Sequence, residues 1–172
     1  MSKSANLLLN LEHSRQSLCR LVADLMLNKQ SFLAAAESCT GGLIAAACTD
    51  LTGSSQWFER GFVTYSNAAK TEMLGVDAAL IAQFGAVSEQ VAAAMAQGAV
   101  KHSAAQVSVS VTGVAGPTGG SVDKPVGTVW IAWVVNGQTS TQLCQFDGDR
   151  ATVRALTVQQ ALQGLVERLQ TI

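Results

Sequence analysis

Glu37-Ser38-Cys39-Thr40-Gly41-Gly42 sets a carboxylate, hydroxyls and a thiol directly ahead of paired glycines. Phe32 to Ala36 before it is an apolar run of strand length, and Leu43, Ile44, Ala47, Cys48 and Leu51 after it recur at helical spacing. The segment therefore reads as a strand-to-helix turn, which places its side chains at the carboxyl edge of a sheet, where α/β folds bind ligands. Gly41 and Gly42 can expose their amides there to a phosphate or a developing oxyanion. The same residues also have a purely structural use, in which Ser38 or Thr40 caps the helix and the glycines let strand and helix approach.

Tyr65-Ser66-Asn67-Ala68-Ala69-Lys70 is a second junction of this kind. A lysine held beside a serine in a dry site can lose its proton near neutral pH and serve as general base without a histidine. Its plain alternative is a solvated helix residue. A third segment, Thr112 to Gly120, follows a strand and is too rich in glycine for a core element. It is either a surface loop or a wall whose amides and hydroxyls touch a polar substrate. Cys39, next to a helix start, is an alternative nucleophile. His13 and His102 lie outside these turns, so a Cys-His pair rests on no motif, and Cys19, Cys39, Cys48 and Cys144 lack the spacing of a zinc site. Reduced, buried thiols and no bound metal are expected.

The elements that must position these groups follow from periodicity. Leu8, Leu11, Leu18, Leu21, Val22, Leu25 and Met26 mark one buried stripe of a helix over about residues 4–28. A β-prone run covers Gly61 to Ser66 and breaks at Asn67 into a short helix through Leu74. Further helices are expected over Asp77 to Phe84 and from Ser88, as N-cap, to Lys101. Val107, Val109 and Val111 alternate with Ser108, Ser110 and Thr112, a strand with one apolar face and one face of small hydroxyls. Strands at Thr128 to Val135 and Thr139 to Phe146 flank Asn136-Gly137, a strong hairpin signal. Asp149 caps a last helix carrying Val153, Leu156, Val158, Leu162, Leu165, Val166 and Leu169. Helices and strands interleave and a hairpin closes the series, so the expected fold class is α/β: a three-layer α/β/α sandwich with a mixed β-sheet, in a single domain over 1–172.

The 172 residues are 48% hydrophobic with a formal net charge of −1. A chain of this length buries roughly 70% of its unfolded surface without staples. Basic residues are scattered, which argues against coating nucleic acid. No apolar stretch approaches the roughly 18 residues of a membrane helix, and Met1 to Asn10, with Lys3 its only cation, is a poor signal peptide. A cytoplasmic protein is expected.

Taken together, the segments resemble a known family. Ala36 to Gly42, Gly53-Ser54-Ser55, Gly61 to Asn67 with Lys70, Gly85-Ala86-Val87-Ser88, Thr112 to Pro117, Lys124 to Val129 and Gly148-Asp149-Arg150 resemble, in order, the CinA C-terminal-domain family of nicotinamide-nucleotide amidohydrolases. The likeness runs from about Phe32 to the last helix. It implies deamidation of nicotinamide mononucleotide to nicotinate mononucleotide and ammonia in NAD salvage, by a Ser/Lys dyad with neither metal nor cofactor. Carried onto this chain, it makes Ser38 the nucleophile, Lys70 the base, and Tyr65 the residue that orients Lys70 or the carboxamide. The amides near Thr40, Gly41 and Gly42 would hold the oxyanion or the substrate phosphate, and Glu37, Asn67, Thr112 and Gly113 would complete the substrate-binding set. Larger members carry an additional nucleotide-pyrophosphate-cleaving domain, and only the deamidase half is expected here.

Arg150, at the start of the last helix, could meet a phosphate, with a surface ion pair as its alternative use. The expected partners are a small nucleotide substrate and a second copy of this chain as a homodimer, with no nucleic acid and no membrane. A nucleotide-binding module without turnover, or an amidase for another carboxamide, would share most of these features.

Overall fold

The computed structural model describes residues 3–171; Met1, Ser2 and Ile172, the extremes of the expected domain and of the Met1 to Asn10 segment, lie outside the described residues. The elements run α1 (Lys3–Asn28), β1 (Leu33–Glu37), α2 (Leu43–Thr49), a 3-10 turn (Ser54–Gln56), β2 (Phe58–Val63), α3 (Asn67–Leu74), α4 (Ala78–Phe84) and α5 (Glu89–Lys101). They continue through β3 (Val107–Gly113), β4 (Thr128–Val135), β5 (Gln138–Gln145) and α6 (Arg150–Gln170). Among the described residues no helix is long and apolar enough to cross a membrane.

The expected mixed sheet is present, five strands in the order β2-β1-β3-β4-β5. β1 pairs parallel with β2 and β3, while β3-β4 and β4-β5 pair antiparallel. Asn136 and Gly137, with φ of 52° and 72°, form the turn between β4 and β5, because positive φ at both central residues matches the twist of the strands it joins.

Alternation along the strands sorts the layers. Leu33 and Ala35 of β1, Val107, Val109 and Val111 of β3, and Val129, Ile131 and Trp133 of β4 face one side, where they pack with apolar residues of α1, α2 and α6. The opposite face carries Ala34, Ala36, Ala132 and Val134 against α3, α4 and α5. The hydroxyl face of β3 points into this second layer: Ser108 Oγ donates to the Ala96 carbonyl at 2.7 Å and Ser110 Oγ to that of Ala92 at 2.6 Å. Small residues on both partners bring α5 close to the sheet, and the hydroxyls are satisfied by helix carbonyls instead of water.

Several expectations shift. β2 spans Phe58–Val63, not Gly61 to Ser66, because its pairing with β1 runs from Leu33 opposite Phe58 to Glu37 opposite Val63. β1 and β5 are each displaced by one residue from the expected Phe32 to Ala36 and Thr139 to Phe146, again following pairing. Leu21 is exposed, since Cys19 and Ala23 take the buried places on α1. Leu51 lies beyond the end of α2 yet still packs against the core.

Trp133 anchors the larger core. Its ring is fully buried, its Nε1 donates to the Ala161 carbonyl at 2.9 Å, and its face carries the Arg168 guanidinium 3.8 Å from the centroid. Gly164 lets α6 come this close to the ring, since an added Cβ there would clash with Trp133 Cζ2. Gly164→Ala therefore adds helix propensity but overpacks a ring fixed on all sides. We expect a net loss of about 1–3 kcal/mol in urea unfolding; unchanged or raised stability would show that the ring can move.

Candidate active site

Glu37 ends β1, the strand flanked in parallel by β2 and β3, so the chain leaves the sheet at its carboxyl edge. Its carboxylate is fully buried and completely engaged. Oε2 accepts from Thr40 Oγ1 at 2.6 Å and from the amides of Gly42 and Ile44 at 3.1 and 3.0 Å, and Oε1 accepts from the Ala45 amide at 2.8 Å. α2 begins after Gly42, at φ 102°, which brings no side-chain cap. Glu37 thus supplies the cap from five residues upstream, satisfying amides that the first turn of a helix leaves without partners. Ser38 and Thr40, expected as alternative caps, do not donate or accept in that role: Thr40 spends its hydroxyl on Glu37, and the Ser38 amide donates to the Val111 carbonyl.

With its backbone held by β3, Ser38 turns its hydroxyl toward the second junction. The main chain continues from β2 through buried Thr64, whose amide donates to the Glu37 carbonyl. Ser66 caps α3 by accepting from the Ala69 amide, which directs Lys70 inward from the second turn of the helix. Lys70 is 1% exposed. Its Nζ lies 3.0 Å from Ser38 Oγ and donates to the Thr64 carbonyl at 2.9 Å. No carboxylate pairs with it among the described residues. Burial without a counter-charge pushes the Lys70 pKa down, since desolvation disfavours the ammonium. A neutral Nζ can accept from Ser38 Oγ while donating to Thr64, the arrangement of a serine with an adjacent amine base.

Cys39, the rival nucleophile, is buried, and its thiol pKa is pushed up to about 12, chiefly by desolvation. The thiol stays protonated at neutral pH, so it lacks the thiolate that nucleophilic attack needs.

The remaining expected residues divide. Gly41 and Gly42 have positive φ, but their amides are already committed, to the Ser38 carbonyl and to Glu37. Among the described residues the amides of Cys39 and Thr40 donate to no backbone carbonyl, and both directly follow Ser38 in sequence. Glu37, expected to touch substrate, has no free oxygen for it. Thr112 is buried and donates to the Ala86 carbonyl, and Gly113 pairs with Val129 in the sheet. Tyr65 is 62% exposed and accepts at Oη from Arg150 Nη2, 2.9 Å away; no hydrogen bond joins it to Lys70. Arg150 Nη1 also donates to Gly116, bringing the glycine-rich loop to the site edge. Asn67, at the start of α3, lines a cavity of about 270 Å³ with Ala68, Thr71, Ala78, Ile81 and Ala82, a lining that does not include Lys70 or Ser38. A larger cavity of about 420 Å³, lined by Val135, Asn136 and Arg168, belongs to the opposite end of the sheet and is remote from this chemistry. Arg154, one turn beyond Arg150, donates from Nη2 to the Thr40 carbonyl at 2.8 Å. Nothing in the local pattern of α6 singled it out.

Among the described residues no cluster of three or more His, Cys, Asp or Glu side chains could hold a metal ion.

Comparison with known proteins adds context to this geometry. Residues 15–169 match the model of the CinA C-terminal domain. The nicotinamide-nucleotide amidohydrolase PncC of Pseudomonas putida is 57% identical over 132 residues, covering 77% of this chain and 82% of that protein. The crystal structure of the competence/damage inducible protein CihA from Agrobacterium tumefaciens superposes with a TM-score of 0.85 at 44% identity, over 90% of this chain and 94% of that one. A CinA superfamily protein from Escherichia coli superposes with a TM-score of 0.87 at 40% identity, over 90% of each chain.

Two outcomes follow from the buried pair of ionisable groups. Glu37→Gln keeps the shape but turns an amide NH₂ toward donors. We expect it to cost about 2–4 kcal/mol of stability, read by urea unfolding, because buried donors to a charged acceptor lose their partner; a loss within error of zero would show that the cap is dispensable. For Lys70, the unfolded chain keeps its proton up to roughly pH 10.4, while the folded chain releases it earlier. Stability therefore rises with pH between the lowered folded value and the ordinary one, where the unfolded state binds more protons. Lys70→Met should flatten that rise, and equal slopes in both proteins would mean that folded Lys70 keeps its charge.

Proposed function

Because this chain belongs to the CinA C-terminal domain family, we propose that it hydrolyses nicotinamide mononucleotide to nicotinate mononucleotide and ammonia in pyridine-nucleotide salvage, with Ser38 as nucleophile and Lys70 as base. The observation that carries the reading is the 3.0 Å approach of a buried Lys70 Nζ, unopposed by any carboxylate, to Ser38 Oγ.

The steps balance on these two side chains. Ser38 Oγ attacks the carboxamide carbon as its proton passes to Lys70 Nζ, which the Thr64 carbonyl keeps aimed at the serine. The oxygen of the tetrahedral adduct takes the negative charge. The uncommitted amides of Cys39 and Thr40 are the donors available to it, whereas those of Gly41 and Gly42 are occupied. Collapse breaks the C–N bond, and the ammonium of Lys70 returns its proton to the leaving nitrogen, releasing ammonia. Water then attacks the acyl ester with Lys70 again as base, freeing the carboxylate and restoring Ser38. A hydrolysis of this form needs no redox cofactor. The desolvation that lowers the Lys70 pKa is what lets an amine act as base near neutrality.

Ammonia release from nicotinamide mononucleotide tests the reading directly. Ser38→Ala should lower kcat by roughly a thousandfold or more. Lys70→Arg, which cannot deprotonate, should lose roughly 100-fold or more while the protein stays folded. In the wild type, kcat/KM should rise with pH along an acid limb that reports Lys70. A raised melting temperature with the nucleotide but no ammonia would make the protein a binder, and near-normal turnover by Lys70→Arg would remove the lysine from proton transfer.

A further inference from the structure

The cavity of about 420 Å³ at the Asn136-Gly137 turn has no part in the Ser38-Lys70 site. Its volume falls within the range of roughly 300–1,000 Å³ found for small-molecule sites. Val135, Asn136, Gln138 and Ser140 line it from the β4-β5 hairpin, and Arg168 and Thr171 line it from the end of α6. None of the residues described in its lining bears a carboxylate, and Arg168 supplies the one charge.

Arg168 is held there as a fixed donor. Its guanidinium lies on the Trp133 ring, Nε donates to Ser140 Oγ at 2.6 Å and Nη1 to the Gly164 carbonyl at 3.0 Å. These contacts set the plane and direction of the fork. Nη2 has no acceptor among the described residues, but it is not one of the buried atoms left without a partner, a state confined to Arg154 Nε. Nη2 is therefore accessible, on a residue that forms part of the cavity wall. Ion pairs among the described residues join only Arg15 to Glu12 and Asp50, and Arg60 to Glu59, so no carboxylate there opposes Arg168. Glu167, its neighbour in sequence, accepts instead from Gln163 one turn back. Desolvation outweighs the pull of Glu167 and lowers the Arg168 pKa.

The hairpin wall adds further unused donors. Ser140 accepts from Arg168 Nε and gives its own proton to no acceptor among the described residues. The side-chain amides of Asn136 and Gln138, both exposed, make no hydrogen bond there either. Thr171 Oγ1 donates to the Glu167 carbonyl, covering one of the acceptors that a helix end leaves without a partner. One fixed cation balances one negative charge, and its planar fork matches a carboxylate. A dianionic phosphate would leave half of its charge unopposed.

We propose that this cavity is a second ligand site, for a small organic acid that bears one carboxylate and an amide or hydroxyl group. The carboxylate takes Arg168 Nη2 and the Ser140 hydroxyl, and the polar end of the molecule meets Asn136 and Gln138. The assignment is independent of the deamidase reading, because the cavity lies at the opposite end of the sheet and its lining includes neither Ser38 nor Lys70.

Succinamate, with one carboxylate and one amide, is titrated into the whole protein against succinamide, its uncharged counterpart, and against inorganic phosphate. Two-dimensional NMR follows the Arg168 Nε–H and the Ser140 backbone amide. Succinamate should give saturable shifts confined to the hairpin and the end of α6, with a Kd of roughly 1–10 mM, and should bind about tenfold or more tighter than either competitor. Arg168→Gln should weaken it by roughly tenfold or more, read at the Ser140 amide. Ser140→Ala, which leaves the stacked guanidinium in place, should weaken it by about threefold or more. Melting temperatures establish that both variants are folded, and the Ser140→Ala result stands alone if Arg168→Gln is not. Shifts that never saturate, equal binding of succinamide, tighter binding of phosphate, or affinity unchanged in a folded variant would each overturn the proposal.

Discussion

A carboxyl group removed from water is costly unless donors surround it, and Glu37 meets that requirement with atoms from the eight residues that follow it. Everything at the site depends on this arrangement. Closing Thr40 and the first amides of α2 onto one side chain forces the chain into a tight turn, and the turn holds Ser38 at the sheet edge with little freedom. It also consumes the glycine amides, so that only those nearest the serine remain available.

Lys70 meets the same problem in the opposite way. It has a carbonyl and a hydroxyl as neighbours and no counter-charge, so burial drives it toward the neutral form. One buried side chain is thus fully hydrogen-bonded and fixes the backbone, and the other, without a counter-charge, is driven toward its neutral form. A lysine biased in this way is what the proposed acid-base chemistry at neutral pH requires.

The sheet brings these environments together. β1 lies between two parallel neighbours, so the exits of β1 and β2 open on the same edge, one leading to Ser38 and the other to α3 and Lys70. The alanine and serine face of the central strands allows α5 to pack closely behind them, while α6 covers the opposite face through Gly164 and Trp133. Its first turns then carry Arg150 and Arg154 over the edge from the layer opposite α3. Three layers therefore meet at this edge: Ser38 from the sheet, Lys70 from one helical layer, and Arg150 and Arg154 from the other.

Much of this was legible in the residue order because it is encoded by neighbours. The strand-turn-helix at Glu37 to Gly42, the Asn136-Gly137 hairpin, the caps Ser88 and Asp149 and the alternation of β3 all depend on spacings of a few residues, which side-chain size, backbone freedom and hydrogen-bonding capacity determine locally. Ser38 and Lys70 could each be picked out as candidates for the same reason. Their contact across 32 positions could not be read from spacing alone, nor the bond between Arg154 and Thr40 across 114. The start of β2 at Phe58, the exposure of Leu21 and the use of Glu37 as a cap likewise follow from pairing and packing. Sequence determined the elements and the chemistry each could offer. Tertiary structure decided which groups lost water, and burial, not identity, drives a lysine toward its neutral form.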